Sequence, residues 1–194
     1  MNELYKKYKK LNIDGSWIGL EQGIDDSYFC TPIGAQIIGW ENGIHYCFIE
    51  GFGETVFCVN PETCCDYYAY PIARNFEDFL GLVLETGNAN TLQQIIWWDK
   101  DMFEEFVNSP YEKEYRARPE VQQVLDVIAK ETGVQPINNP FEYIKILQSD
   151  FPYEKIEFSD EYYDILGLER PDGTEAENCD FEMTTVITAE RDIQ

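Results

Sequence analysis

Two β-rich runs, Ala35-Gln36-Ile37-Ile38-Gly39-Trp40-Glu41 and Ile44-His45-Tyr46-Cys47-Phe48-Ile49-Glu50, flank the dipeptide Asn42-Gly43. No other feature restricts the fold as strongly. A two-residue type I′ turn needs positive φ at both central positions, which Asn and Gly tolerate, so the runs form a tight antiparallel hairpin. A turn of that length fixes the register. It pairs Glu41 with Ile44, Trp40 with His45, Gly39 with Tyr46, Ile38 with Cys47 and Ile37 with Phe48. One face then carries Ile38, Trp40, His45, Cys47 and Ile49, and the other Ile37, Ile44, Tyr46 and Phe48. Both faces are apolar, so both must be covered.

A third apolar run, Thr55-Val56-Phe57-Cys58-Val59, follows Gly51-Phe52-Gly53. Trp17-Ile18-Gly19-Leu20 and Tyr67-Tyr68-Ala69-Tyr70 are weaker strand candidates. After Pro71 the period changes. Phe76, Phe79, Leu80, Val83 and Leu84 recur at helical spacing behind Asn75, with Glu77 and Asp78 in the first turn and Gly87 past the end. Thr91 caps a second helix through Leu92, Ile95 and Ile96 toward Phe103 and Phe106. Pro119 opens a third, stopped by Gly133, and Pro140 a fourth carrying Phe141, Ile144 and Leu147. Short strands are predicted at Ile156 to Phe158 and Met183 to Thr188. The fold class is therefore α+β: an antiparallel β-meander of four to six strands, followed by and packed with several α-helices. Residues 1–150 form the domain, with strands in 1–72 and helices in 75–149. Residues 151–194 form an acidic C-terminal extension packed on it.

Charge narrows the functions. The 194 residues carry 14 Lys and Arg against 37 Asp and Glu, a net charge of −23. A phosphate backbone is bound by neutralising cations, and an anionic membrane surface attracts them, so neither nucleic acid nor membrane is a partner. No apolar run reaches the roughly 20 residues of a membrane span. The first residues, MNELYKKYKKLN, contain no apolar stretch of a secretory signal. The six Cys (30, 47, 58, 64, 65 and 179) follow no disulfide framework, which together point to a cytoplasmic protein with reduced thiols.

The single His, His45, lies mid-strand opposite Trp40, a packing position with no acid or nucleophile partner supplied by the sequence. Gly51-Phe52-Gly53 lacks the third glycine and the helix start of a dinucleotide fingerprint. Cys58, Cys64 and Cys65 are not a CxxC pair, so no metal is expected. Acidic pairs such as Asp25-Asp26, Glu104-Glu105 and Asp160-Glu161 suit a glycosidase dyad by type, but 37 acids produce such pairs by chance. No catalytic residue and no cofactor is assigned.

The segment Gly43 to Ile49, then Val56-Phe57-Cys58-Val59, then Pro71-Ile72-Ala73-Arg74-Asn75-Phe76-Glu77-Asp78-Phe79-Leu80, resembles the later half of the SUKH superfamily. There the strands lead into a helix beginning with a Ser- or Asn-Phe-x-x-Phe-Leu pattern. The match covers residues 35–86. The family's usual N-terminal helix, with its Leu-Pro start and Asn-Gly-Gly turn, has no counterpart in residues 1–34. The resemblance implies a protein-binding module without catalytic residues. Many bacterial members are immunity proteins that neutralise toxins, and fungal relatives serve cell-wall assembly.

The sequence thus reads as a non-enzymatic protein-binding module, an immunity protein whose acidic surface meets a basic, nuclease-like toxin. A carboxylate-dependent cytosolic hydrolase and a regulatory or small-ligand-binding module are the alternatives. The residues assigned to the partner are an aromatic centre at Trp40 with an acidic rim of Asp25, Asp26, Glu41, Glu50 and Glu54.

Overall fold

The computed structural model describes residues 2–63, 65–171 and 173. The chain divides into two compact units, Met1–Ser159 and Asp160–Gln194. In the first, helix α1 (Glu3–Tyr8) and a 3-10 turn (Gly15–Ile18) precede strands β1 (Ala35–Glu41), β2 (Ile44–Ile49), β3 (Val56–Val59) and β4 (Ala69–Ala73). Helices α2 (Phe76–Thr86), α3 (Ala89–Gln94), α4 (Lys100–Asn108), α5 (Pro110–Arg116), α6 (Pro119–Thr132) and α7 (Pro140–Ser149) follow. The strands make one four-stranded antiparallel sheet in the order β1-β2-β3-β4, so the α+β class and the meander hold. In the second unit α8 (Asp160–Leu166) is held by Arg170, which bonds Asp164 at 2.5 Å and lies 3.5 Å from Asp160.

The hairpin turns at Asn42 and Gly43, both at positive φ. Next to the turn the register is the one the turn length dictates, Glu41 with Ile44, Trp40 with His45 and Gly39 with Tyr46. Then it slips. Ile37 pairs with Cys47 and Gln36 with Phe48, leaving Ile38 as the extra residue of a β-bulge. Ile38 therefore joins the core cluster that contains Tyr46, and not the face of Trp40 and Cys47. Gly39 shows the cause. A Cβ there would lie 2.6 Å from Leu20 Cδ2, so the glycine admits Leu20, whose neighbour Glu21 exchanges both backbone hydrogen bonds with Trp40 at 3.0 Å.

One sheet face, with Ile38, Tyr46, Val56, Cys58 and Ile72, packs with Phe76, Phe79, Leu80 and Val83 of α2. Asn75 caps that helix by accepting the Asp78 N–H, and Gly87 ends it at φ 83°. Burial of each of these large side chains contributes about 1.5–3 kcal/mol. Tyr5 and Tyr8 of α1 meet Phe76 edge to face at 5.2 and 5.4 Å. The sequence reading named no element here; the helix forms because its tyrosines lie on one side at i and i+3 and Asn2 caps it by accepting the Leu4 and Tyr5 N–H groups.

The opposite face, with Trp40, His45, Cys47, Phe57 and Val59, is also buried, but by irregular chain. Tyr28 stacks on Trp40 at 5.5 Å, Phe151 meets Phe57 at 5.4 Å, and the Ile33 N–H donates to the Glu157 carbonyl at 2.8 Å. Residues 151–157 are thus part of the first unit, which runs to Ser159 where the sequence suggested 150.

Other elements differ from the sequence reading. Trp17 to Ile18 lie in the 3-10 turn and Ile156 to Phe158 are irregular, so neither is a strand. The single helix expected from Thr91 toward Phe106 is two, because Asp99 accepts the Met102 N–H and starts α4 anew. Most of the acidic extension beyond residue 171, with the strand expected at Met183 to Thr188, lies outside the described residues. Among the described residues no helix is long and apolar enough to cross a membrane.

Candidate functional site

The hairpin turn leaves Glu41 at the end of β1, where the sheet meets the α2–α3 junction and α5. Two caps build the other walls. Asn88 caps α3 by accepting the Asn90 N–H at 2.7 Å, which turns both amides toward the strand end. Ser109 caps α5 by accepting the Glu112 N–H at 3.2 Å, with Pro110 at the first helical position. Glu41, Asn88, Asn90, Gln94, Glu112 and Tyr115 line the resulting cleft of about 180 Å³, with Phe106 and Tyr111 alongside.

The amide and hydroxyl groups here are largely engaged with one another and with the surrounding chain. Tyr46 donates to Asn90 Oδ1 at 3.2 Å, Trp97 donates to Gln94 Oε1 at 3.1 Å, and the Tyr115 hydroxyl donates to the Trp17 carbonyl at 2.9 Å. The Glu41 Oε2 atom is shielded from solvent and has no hydrogen-bond partner. It lies over Gly19, where a Cβ would come within 2.5 Å of it. Burial raises the Glu41 carboxyl pKa, opposed by Asn90.

Glu112 is 6% exposed, and its carboxylate makes no hydrogen bond or ion pair among the described residues. In a capping box the third-position Glu returns to the N–H of the cap residue. Here the Ser109 N–H already donates to the Phe106 carbonyl at 3.0 Å, closing α4, so the Glu112 carboxylate is left for the cleft. Burial raises its pKa, opposed by Arg116, whose guanidinium instead donates to the Glu85 carbonyl at 2.6 Å. Arg118 lies 4.8 Å over the Tyr115 ring. Glu112, Asn88, Asn90 and Tyr115 were not assigned from the sequence. The Ser-Pro-Tyr-Glu run at 109–112 is the signal that could have marked Glu112, and then as part of a helix start alone.

The six residues assigned to a partner are not brought together. Trp40 is 8% exposed beneath Tyr28, so it forms no accessible aromatic centre. Exposed Asp25 lines a cleft of about 490 Å³ along the outer edge of β1, with Lys9, Glu21 and Gln36, and exposed Asp26 follows it. Exposed Glu50 borders a different cleft with Ile33, Phe52 and Lys155, and Glu54 lies exposed in the same β2–β3 connection. Glu41 belongs to a third. The acids therefore edge three separate recesses, because the covering segments 28–33 and 151–157 occupy the sheet face that would have been their centre.

His45 is 0% exposed, and burial lowers its pKa against the opposing bond to Gly43. The Tyr28 N–H donates to Thr31 Oγ1 at 2.8 Å, Thr31 Oγ1 lies 3.0 Å from His45 Nε2, and Nδ1 lies 3.1 Å from the Gly43 carbonyl. The carbonyl only accepts, so this network assigns the proton to Nδ1 and makes Nε2 the acceptor from Thr31. Both ring nitrogens are thus engaged at a fully buried position. Cys30, Cys47 and Cys58 are buried free thiols, and burial pushes Cys30 up to about 11 and the other two higher. Cys65 is half-buried; Cys64 and Cys179 lie outside the described residues. Among the described residues no group of three or more His, Cys, Asp or Glu could hold a metal ion.

Comparison with protein-family models, curated proteins and solved structures finds no match to the chain.

Proposed function

We propose that this chain is a non-enzymatic, SUKH-like protein-binding module, an immunity protein that neutralises a basic, nuclease-like toxin in the bacterial cytoplasm. The net charge of −23 carries the reading. A molecule so charged attracts a cationic protein and competes for the groove in which that protein would hold a phosphate backbone, with fast and salt-sensitive association. The engagement of His45 in packing supports a binding role over acid–base catalysis.

The test is complex formation with a candidate cationic, nuclease-like toxin, sought among the neighbouring genes and followed as association rate at rising ionic strength. The rate is expected to fall steeply as the Debye length drops below about 10 Å. Asp25→Lys with Asp26→Lys, and Glu50→Lys with Glu54→Lys, alter separate recesses. The pair at the interface slows association and flattens its salt slope, whereas the other has a smaller effect. No complex with any such candidate, or a rate indifferent to salt and to both reversals, overturns the reading.

A further inference from the structure

We propose that the cleft between the end of β1, the start of α3 and helix α5 is a binding site for a guanidinium group, with the Glu112 carboxylate as its ion-pair partner. The assignment deepens the protein-binding reading, and rests on it where the guanidinium belongs to an arginine of a protein partner.

Three observations carry it. Glu112 is 94% buried by its 6% exposure, lines the cleft, and has neither hydrogen bond nor ion pair among the described residues. Glu41 also lines the cleft, and its Oε2, turned toward Gly19, is shielded from solvent without a partner. Buried carboxylates without partners are costly, and proteins keep such groups where a ligand completes them. The Ser109 N–H that would ordinarily complete Glu112 is committed to Phe106, so nothing in the local helix start can relieve it.

The remaining lining chooses the cation. The Asn90 and Gln94 amide oxygens already accept from Tyr46 and Trp97, so the acceptors the cleft offers are its carboxylates, which call for a cation rich in donors. Guanidinium supplies five donors in a planar fork, and it is more weakly hydrated than ammonium, so it enters a partly buried site at lower cost. Its flat faces also stack on aromatic rings. Phe106 and Tyr111 provide such rings, with Tyr111 67% exposed at the mouth. The volume of about 180 Å³ holds one such side chain.

The experiment titrates the full chain with N-acetyl-arginine methylamide, its neutral isostere N-acetyl-citrulline methylamide, the lysine analogue and ethylguanidinium. Binding is followed by calorimetry and by NMR shifts of Tyr111 and Tyr115, at about 0.15 M salt to screen the overall charge. Saturable binding of the arginine derivative is expected, at least about tenfold tighter than lysine, with no binding of citrulline. Glu112→Gln should weaken it about tenfold or more, as loss of a charge-assisted bond does, and Glu131→Gln, at an exposed position of α6, should leave it unchanged. Tyr111→Ala, at an exposed position, tests the site without touching its buried groups and should weaken binding less.

Equal affinity for ethylguanidinium and the arginine derivative assigns the site to a free small cation; preference for the derivative assigns it to a protein side chain. Absence of saturable binding, binding insensitive to both Glu112→Gln and Tyr111→Ala, or equal binding of lysine overturns the site. A chain that captures the cationic toxin but no guanidinium probe overturns this site and spares the protein-binding reading; guanidinium binding without any toxin complex does the reverse.

Discussion

Trp40 and His45 face each other across the β1–β2 hairpin as a registered pair, their rings stacked at 5.0 Å and 17°. The pair sits under Tyr28, so the imidazole is held neutral by burial. His45→Gln should cost about 1–3 kcal/mol at pH 7, the penalty for disturbing buried hydrogen bonds, and leave partner binding unchanged.

The pH dependence has a defined sign. A His whose folded pKa is lowered contributes stability that is present above its unfolded value, about 6.5, and is lost as pH falls from there toward the folded value. The stability gap between the natural chain and His45→Gln should therefore shrink below about pH 6.5. Urea unfolding at several pH values measures it, and a gap constant with pH would show that the ring is not buried in the neutral form.

Glu112 carries the opposite sign. Its folded pKa is raised by burial, so its contribution is fully present below the unfolded value of about 4.3 and is lost as pH rises through the folded value. Glu112→Gln should accordingly raise the melting temperature at pH 7, and the gain should vanish near pH 4. A residue whose replacement stabilises the fold while weakening a ligand follows the usual trade between stability and function. A variant less stable than the natural chain at pH 7 would mean that Glu112 is satisfied in the unliganded protein.

The hairpin was legible because Asn42-Gly43 encodes its turn locally, α2 because cap, stripe and terminal glycine agree, and α6 because Pro119 at its start, stripe and Gly133 agree. The Ile38 bulge was not, since it depends on Leu20 approaching Gly39 from 19 residues away in the chain. The cover of the outer face was equally hidden: Tyr28 and Phe151 act from irregular segments that have no hydrophobic period. Glu41 was assigned from the sequence as a rim acid. Its partner in the cleft, Glu112, reads locally as a capping residue, and only the tertiary commitment of the Ser109 N–H frees its carboxylate.

Leu20 also ties down the 3-10 turn. Its N–H donates to the Gly15 carbonyl at 2.8 Å, and a Cβ on Gly15 would lie 2.0 Å from the Leu20 carbonyl oxygen. Backbone cannot swing away as a side-chain tip can. Gly15→Ala should thus destabilise by about 1–3 kcal/mol or more, the scale of overpacking a core. Gly39→Ala meets first the flexible Leu20 Cδ2 and should cost less. Denaturant midpoints at unchanged m-value would check this order, and a harmless Gly15→Ala would contradict the packing of the turn.

The segment after α7 supplies the last expectation. Phe151 contacts Phe52 at 5.5 Å and Phe57 at 5.4 Å, Ile156 is buried, and Glu157 holds Ile33 through its carbonyl. These residues cover Phe57 and its neighbours on the outer sheet face, so a chain ended at residue 150 bares an apolar surface that a chain ended at 159 keeps closed. Losing burial at Phe151 and Ile156 removes about 3 kcal/mol or more. For a domain of this size that lowers the melting temperature by roughly 10 °C. Residues 1–159 are expected to melt cooperatively, whereas residues 1–150 should melt lower and bind a hydrophobic dye such as ANS. Equal melting of the two fragments would mean that the sheet is closed without residues 151–157.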